Sequence, residues 1–218
     1  MSSVSDNIHD GIYVDIRRHN AAALPRQPAV FLDRDGVIVE LVDYLHDPAD
    51  VRLTADAGAA IAALNRAGLP VVVVTNQSGI GRGLYDWEAF VRTQAEVDRL
   101  LSDCGGWIDA VAACPFHADA RPPYDWPDHP CRKPNPGMLT ILRNRLALAL
   151  EASWIVGDHR TDIETARRAG LAGAVHVLTG HGPSHRAAVR NLPAHGRRLL
   201  FADSLAAAIP HLLNALPP

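Results

Sequence analysis

The chain has 218 residues, 48% of them hydrophobic, and a formal net charge of −3, which suits one domain with a substantial core. The slightly acidic balance argues against a nucleic-acid partner, and no apolar run reaches the roughly 20 residues of a membrane span. The N-terminus has no basic segment leading into an apolar run, so we expect no secretory signal. Three cysteines argue against a disulfide framework and favour a reducing compartment, so a cytoplasmic location is expected.

Residues 1–27 are expected to be an N-terminal extension, because they are mixed in character and end in the loop-like LPRQP. Within them, GIYVDI (11–16) alternates enough to predict a short strand that would form half of a hairpin. Such a hairpin either covers a functional site or makes a dimer contact. Residues 28–218 are expected to form a single domain.

From residue 28 onward, short apolar runs alternate with helical patterns. The runs that predict strands are AVFLD (29–33), LPVVVVTNQSG (69–79), WIDAVAACPF (107–116), SWIVGD (153–158), GAVHVLTG (173–180) and RLLFADS (198–204). Because each run has a continuous apolar stretch, the runs indicate strands buried on both faces. We therefore predict an α/β fold with three layers, a Rossmann-like parallel sheet with helices on both faces.

Several helices have recognisable starts. Asp86 is a plausible N-cap for a helix over 86–105. Asn135 is the expected cap of the next helix, with a proline in its first turn. Thr161 is followed by Glu164 three residues later, which predicts a capping box. A last helix is expected around Pro210.

Polar side chains follow three of the predicted strands where each strand ends. Asp33 and Asp35 follow the first strand, Thr75 the second and Asp158 the fourth. Open parallel sheets bind ligands at this edge, and Lys133, at the end of a proline-rich loop, is expected to join them. Three carboxylates, a hydroxyl and a lysine at one site favour a divalent cation such as Mg²⁺.

This set of side chains suits phosphoryl transfer. Asp33 can attack as a nucleophile and form an aspartyl-phosphate, while Asp35 protonates the leaving oxygen and later activates water. Lys133, Thr75 and Mg²⁺ would neutralise the phosphoryl oxygens. Alternation along an extended backbone lets both aspartates face one ligand, and it predicts that Arg34 points away from both.

Four segments resemble the motifs of the haloacid dehalogenase-like (HAD-like) phosphatase superfamily. They are DRDGVI, VVVVTNQSG, RKPNPGM and IVGDHRTDIETARRAG, which follow one another over about residues 29–180. TNQSGIGRG and CRKPNPGM narrow the resemblance to the subgroup of D-glycero-D-manno-heptose bisphosphate phosphatases and histidinol-phosphate phosphatases. The resemblance implies a HAD-like fold with Asp33 as nucleophile and Asp35 as acid/base.

The same resemblance implies roles for further residues. Mg²⁺ would be held by Asp33, the backbone carbonyl of Asp35, and Asp158. Independently of the resemblance, Asp162 is expected to act both as a first-turn acid of its helix and as a support of the metal site. Thr75 and Lys133 would bind the transferring phosphoryl group. The candidates for substrate contacts are Asn76, Arg82 and Arg132.

The proline-rich loop at 114–137 is a second candidate metal site, since thiolate and imidazole suit a structural, tetrahedral Zn²⁺. The candidate ligands are Cys114, His117, His129 and Cys131. The subgroup usually carries a Cys-x-His…Cys-x-Cys zinc loop here, and this sequence departs from it. Phe116 stands at the usual histidine position, with His117 beside it, and His129 replaces a cysteine. A Cys₂His₂ zinc site and a metal-free loop held by prolines and Trp126 are both left open.

The leading hypothesis is a Mg²⁺-dependent phosphatase of carbohydrate metabolism that acts on a sugar phosphate such as a heptose bisphosphate. Only a short loop fits between Gly36 and Thr54, so we expect a small loop-type cap and no large cap domain. The alternatives are a histidinol-phosphate phosphatase and a non-catalytic member that binds phosphorylated ligands. A signalling receiver domain is disfavoured, because receivers are much shorter and carry the acceptor on a middle strand. No membrane or nucleic-acid partner is expected, and a monomer is the simplest expectation.

Overall fold

A single eight-stranded sheet forms the centre of the computed structural model, which describes residues 4–17, 26–193 and 198–216. In chain order the strands are β1 (Ile8–His9), β2 (Ile12–Ile16), β3 (Val30–Leu32), β4 (Val71–Asn76), β5 (Ala110–Cys114), β6 (Trp154–Gly157), β7 (Gly173–His176) and β8 (Arg198–Phe201). Their spatial order is β1-β2-β5-β4-β3-β6-β7-β8. β3 to β8 are parallel, while β1 and β2 pair antiparallel at one edge.

Helices cover both faces of this sheet. They are α1 (Ala57–Arg66), α2 (Ser78–Gly81), α3 (Trp87–Asp103), α4 (Gly137–Leu146), α5 (Arg160–Ala169), α6 (Gly182–Arg190) and α7 (Leu205–Ala215). Short 3₁₀ turns lie at Val4–Asn7, Pro48–Asp50 and Leu150–Ala152. Apolar residues of α1, α3 and α7 pack on one face, and those of α4, α5 and α6 pack on the other.

The central strands show why the sequence folds into three layers. Along β4, Val71 and Val73 join one core and Val72 and Val74 join the other. All four are fully buried, because a strand with helices on both faces exposes neither set of side chains. The predicted three-layer α/β fold is confirmed.

The N-terminal segment forms a β-hairpin at the edge of the sheet. β1 pairs with β2, which in turn pairs antiparallel with β5, with Tyr13 opposite Ala113. Gly11 lies in the tight turn with φ +76°, and a Cβ there would lie 3.1–3.3 Å from the rings of Phe116 and Tyr124. The hairpin therefore packs against the proline-rich loop. Residues 1–3 and 18–25 lie outside the described residues.

Two of the predicted helix starts differ in outcome. Asp86 caps α3, since its Oδ1 accepts a hydrogen bond from the backbone of Ala89 at 2.8 Å. Asn135 does not cap α4, because the helix begins at Gly137 with Pro136 in the capping position. The Asn135 amide instead donates to the carbonyls of the preceding loop, so it stabilises the loop and not the helix.

The two long segments at the carboxyl ends of the central strands are loops. Between β3 and α1, residues 33–56 contain only the 3₁₀ turn at Pro48–Asp50, and residues 115–136 between β5 and α4 contain neither helix nor strand. The expectation of a small loop-type cap without a large cap domain is confirmed. Within the described ranges, every helix is too short or too polar to span a bilayer.

Candidate active site

A cavity of about 420 Å³ lies at the carboxyl ends of β3, β4 and β6. The predicted site residues that line it are Asp33, Asp35, Thr75, Asn76, Arg132, Lys133 and Asp158. Its outer wall includes Leu41, Val42 and Tyr44, all at least one third exposed. Side chains that are distant in sequence thus meet at the edge where parallel sheets bind ligands.

Three carboxylates cluster at the cavity: Asp33 and Asp158 line it, and the buried Asp162 lies beside them. One oxygen each from Asp33, Asp158 and Asp162 lies within 4.8 Å of the other two. Among the residues that the structure describes, no other group of three or more His, Cys, Asp or Glu side chains comes so close together. Carboxylate oxygens at this density suit a hard divalent cation such as Mg²⁺.

Lys133 joins two of these carboxylates. Its Nζ lies 2.6 Å from Oδ1 of Asp162 and 3.0 Å from Oδ1 of Asp33, and the side chain is buried. Burial by itself lowers the pKa of Lys133, but the charges of Asp162 and Asp33 outweigh it and raise that pKa. The lysine is therefore a fixed cation at the floor of the cavity.

Asn76 holds the backbone of Lys133 in place. Its Oδ1 accepts from the Lys133 N–H at 3.1 Å, and its Nδ2 donates to the Lys133 carbonyl at 3.2 Å. The side-chain oxygen and nitrogen of Asn76 are thus both bonded to the backbone of Lys133. These bonds connect the end of β4 to the segment that precedes α4.

Burial and mutual repulsion favour the protonated forms of Asp33 and Asp158. Burial raises the pKa of Asp33 to about 7, with further contributions from Asp162 and Asp35 and an opposing one from Lys133. Burial, followed by the charges of Asp33 and Asp162, raises the pKa of Asp158 to about 8. Clustered carboxylates in a low-dielectric site disfavour each other's charged form, so protons and a metal ion compete for the same oxygens.

The N-terminus of α5 orients Asp162. The N-cap of this helix is His159, whose Nδ1 accepts from the Thr161 N–H at 3.1 Å. Oδ2 of Asp162 accepts in turn from the His159 N–H at 3.1 Å, which completes a capping box. The prediction of a capping box from Thr161 to Glu164 was therefore wrong by two residues. The box leaves Oδ1 of Asp162 to Lys133.

Two glycines allow the backbone to approach Asp158. Gly36 and Gly180 have φ values of +80° and +56°, and a Cβ at either position would collide with Oδ2 of Asp158. The same oxygen accepts a hydrogen bond of 2.6 Å from the His181 N–H. Backbone groups thus fix Oδ2 of Asp158.

Arg34 does not point away from the aspartates, as the strand alternation predicted. It is wholly buried, and its Nε lies 3.0 Å from Oδ1 of Asp35. Its Nη2 lies 3.0 Å from Oδ1 and 3.1 Å from Oδ2 of the same carboxylate. The guanidinium also lies 5.2 Å from the ring centroid of Phe90. β3 ends at Leu32, so strand alternation no longer applies at residue 34.

Gln77 is a site residue that the motif analysis missed. Its Nε2 donates to Oδ2 of Asp35 and to Oγ1 of Thr75, both at 2.8 Å. Its Oε1 accepts from Arg34 Nη2 at 3.2 Å and from the Tyr85 hydroxyl. Because it follows Asn76 inside the TNQSG motif, its position in the sequence was the available signal.

Arg82 is the one predicted substrate contact that does not line the cavity. Its Nη1 donates to the Tyr44 hydroxyl at 3.0 Å, and its Nη2 lies 3.1 Å from a carboxylate oxygen of Asp119. It also lies 3.2 Å from the ring nitrogens of His117. Arg82 therefore links the loop after β3 to the proline-rich loop.

The four predicted zinc ligands do not come together. Phe116 stacks on His129 with ring centroids 3.7 Å apart and planes 1° from parallel, while His117 contacts Arg82. Burial raises the pKa of the Cys114 thiol to about 12 and that of Cys131 to about 11. Among the described residues, no three of the four candidate ligands bring their donor atoms within 4.8 Å of one another, so this arrangement does not fit a tetrahedral zinc site.

Comparisons with known proteins agree with this geometry. The HAD-hyrolase-like family model matches residues 130–208. The D-glycero-beta-D-manno-heptose-1,7-bisphosphate 7-phosphatase of Mesorhizobium japonicum is 52% identical over 148 residues, which span 68% of each chain.

Two solved structures are also similar. A putative HAD-like phosphatase from Mesorhizobium loti has 42% identity and a TM-score of 0.81, and the match covers 95% of this chain and 93% of that one. The D,D-heptose 1,7-bisphosphate phosphatase of B. bronchiseptica, complexed with magnesium and phosphate, has 33% identity and a TM-score of 0.74, covering 86% of this chain and 99% of that one. Fold, sequence identity and the family match lead to one conclusion: the chain belongs to the HAD-like phosphatase family.

Proposed function

We propose that this chain is a Mg²⁺-dependent phosphatase that hydrolyses a sugar phosphate through an aspartyl-phosphate on Asp33. One observation carries the proposal: Asp33 lies in an open cavity, with Lys133 Nζ at 3.0 Å and Asp158 close enough to share a metal ion. A nucleophilic carboxylate, a fixed cation and a metal site are what this reaction requires.

The charges of the site favour a divalent cation. Four carboxylates outnumber three cationic side chains, so the ionised site keeps a net negative charge. These groups are Asp33, Asp35, Asp158 and Asp162 against Arg34, Lys133 and the half-buried Arg132. Mg²⁺ would be held by Asp33, Asp158 and the backbone carbonyl of Asp35, and when bound it would neutralise carboxylate and phosphoryl oxygens.

The contacts of Asp33 distinguish its two oxygens. Oδ1 accepts from the Arg34 N–H at 2.8 Å and lies 3.0 Å from Lys133 Nζ. Oδ2 has no donor among the described residues, so Oδ2 is the oxygen that would attack phosphorus. The ester P–O bond then breaks, and the leaving oxygen takes a proton from the carboxyl group of Asp35.

The second half of the reaction regenerates the enzyme. A water oxygen attacks phosphorus, its proton passes to the carboxylate of Asp35, and the bond between phosphorus and Oδ2 of Asp33 breaks. Lys133 and the Thr75 hydroxyl would hold the phosphoryl oxygens in both halves. Phosphate and an alcohol are the products, and Asp33 and Asp35 return to their starting forms.

A sugar bisphosphate is the substrate class that the cavity supports best. The Mesorhizobium japonicum relative is named for a heptose 1,7-bisphosphate, and a second phosphate needs a cation besides Lys133. Arg132 lines the cavity and is half-buried, with Nη1 donating to the Phe116 carbonyl at 2.8 Å. Its remaining donors would bind the distal phosphate.

The proline-rich loop is proposed to hold no zinc. Phe116, His129 and Trp126 pack against one another with ring centroids 3.7–6.4 Å apart, and this packing would stabilise the loop in place of a metal ion.

The three cysteines are free thiols, as expected of a cytoplasmic protein. A monomer is the proposed assembly, to be checked by light scattering.

A phosphate-release screen with Mg²⁺ tests the proposal. Heptose 1,7-bisphosphate, other sugar phosphates and histidinol phosphate would be compared at equal concentration, and the heptose bisphosphate is expected to give the highest kcat/KM. Asp33→Asn should lower turnover by more than about a thousandfold while leaving the melting temperature of the fold intact. Turnover retained in Asp33→Asn, or a screen without any substrate, would overturn the proposal.

A further inference from the structure

The acid/base aspartate has an unusual counter-ion, because Arg34 is its neighbour in sequence and is wholly buried beneath it. Arg34 Nε and Nη2 lie 3.0 and 3.1 Å from Oδ1 and Oδ2 of Asp35. The guanidinium contacts Phe90 and donates to Gln77. A planar cation that is packed and hydrogen-bonded in this way has little freedom to move. It therefore holds the carboxylate of Asp35 in one orientation.

The hydrogen bonds of Asp35 make its two oxygens unequal. Oδ2 accepts from Nη2 of Arg34 and from Nε2 of Gln77, so both of its lone pairs are used. Oδ1 accepts a hydrogen bond from Nε of Arg34. Nη2 of Arg34 lies 3.0 Å from Oδ1 as well, but it directs its hydrogen bond to Oδ2. One lone pair of Oδ1 therefore has no donor among the described residues.

We propose that Arg34 and Gln77 are positioning residues that restrict the catalytic proton to Oδ1 of Asp35 and aim that oxygen at the leaving group. This inference rests on the proposed function, because it assigns an orientation to the acid/base of that reaction. Gln77 also donates to the Thr75 hydroxyl at 2.8 Å. The same amide therefore aligns the proton donor with the group that binds the phosphoryl oxygens.

The proposal predicts a defect that depends on the leaving group. A sugar alkoxide leaves only with a proton from Asp35, whereas 4-nitrophenolate leaves without one. Transfer of the phosphoryl group to Asp33 should therefore depend on Arg34 for a sugar phosphate but not for 4-nitrophenyl phosphate. Attack of water on the phospho-enzyme still needs Asp35, so only the first turnover of the nitrophenyl ester is informative.

The experiment compares Arg34→Lys with the wild-type chain. Single-turnover transfer of the phosphoryl group from the sugar phosphate is expected to slow about 100-fold, and the burst of nitrophenolate in rapid mixing should change less than about threefold. A merely structural role would lower both rates by the same factor. Arg99→Lys is the matched control, because Arg99 is exposed on α3 and pairs there with Glu96 and Asp103.

Gln77→Met provides a second test if Arg34→Lys does not fold. It removes one donor to Asp35, so the ratio of sugar phosphate turnover to nitrophenolate burst should fall about tenfold. Equal losses for both substrates, or no loss for either, would overturn the assignment. A wild-type chain that turns over neither substrate would instead overturn the proposed function, and this inference with it.

Discussion

Lys133 and Asp162 form a buried ion pair whose two members should depend on each other. Lys133→Met leaves Asp162 fully buried, with the His159 N–H at 3.1 Å as the one remaining partner of its side chain among the described residues. We expect a loss of about 4 kcal/mol in the free energy of unfolding. Asp162→Asn leaves Lys133 paired with Asp33 at 3.0 Å, so a smaller loss of about 3 kcal/mol is expected.

The double variant decides whether these losses share one cause. Independent effects would sum to about 7 kcal/mol, but the variant that lacks both charges contains no unpaired buried charge from this pair. We therefore expect it to lose only about 4 to 5 kcal/mol, which corresponds to a coupling of about 2 to 3 kcal/mol. Urea unfolding of the four proteins near neutral pH, without Mg²⁺ and at one salt concentration, measures each value.

A surface pair on the same helix provides the control. Arg160 and Glu164 are four residues apart and 2.8 Å from each other, and the Arg160 side chain is 48% exposed. The corresponding cycle with Arg160→Met and Glu164→Gln should give a coupling below about 0.5 kcal/mol. Additive losses for Lys133 and Asp162, or equal couplings in the two cycles, would refute the reasoning.

Three further predictions concern the metal site and the loop. The raised pKa values of Asp33 and Asp158 mean that the metal-free fold holds protons that the unfolded chain releases, so its stability falls as the pH rises from about 4 to about 8. Added Mg²⁺ should thus raise the Tm more near pH 8 than near pH 5.5, and equal shifts in scanning fluorimetry would contradict this. Gly180→Ala should raise the Mg²⁺ concentration at half-saturation at least about tenfold. Gly68, with φ +74° and open space around it, is the control, because Gly68→Ala should lower stability without changing Mg²⁺ binding. Equal Mg²⁺ binding curves for the two variants would count against the close approach of residue 180 to Asp158. Phe116→Ala should cost about 3 kcal/mol in urea unfolding, and mass spectrometry of the wild-type protein should find far less than one zinc per chain; stoichiometric zinc would refute the aromatic interpretation of the loop.

The sheet could be predicted because burial leaves a direct trace in sequence. A strand covered on both faces needs apolar side chains in both directions, and Val71 to Val74 satisfy this without interruption. The polar residues that end such strands meet at one edge of the sheet, because the strands are parallel and their carboxyl ends lie together. Asp33, Thr75 and Asp158 therefore reach one cavity although up to 125 positions separate them in the sequence.

Side-chain directions beyond the strand ends could not be predicted in this way. Arg34 follows the last residue of β3 by two positions, where the backbone turns and alternation fails. His159 is not a usual N-cap residue, so Thr161 was the expected start of α5. In the proline-rich loop, residue spacing shows which ligands are available but not how the rings of Phe116 and His129 pack.

The N-terminal hairpin has a consequence for the solubility of the folded chain. Without β2, the unbroken apolar strand Ala110–Cys114 would be the edge of the sheet and would present unpaired N–H and C=O groups to other chains. β2 satisfies these groups, and β1 then ends the sheet with only two residues, Ile8 and His9. A two-residue edge is too short a template for intermolecular strand pairing. The hairpin thus protects this edge of the sheet against intermolecular strand pairing. A chain that begins after residue 17 would expose β5 as an unpaired edge strand beside the proline-rich loop.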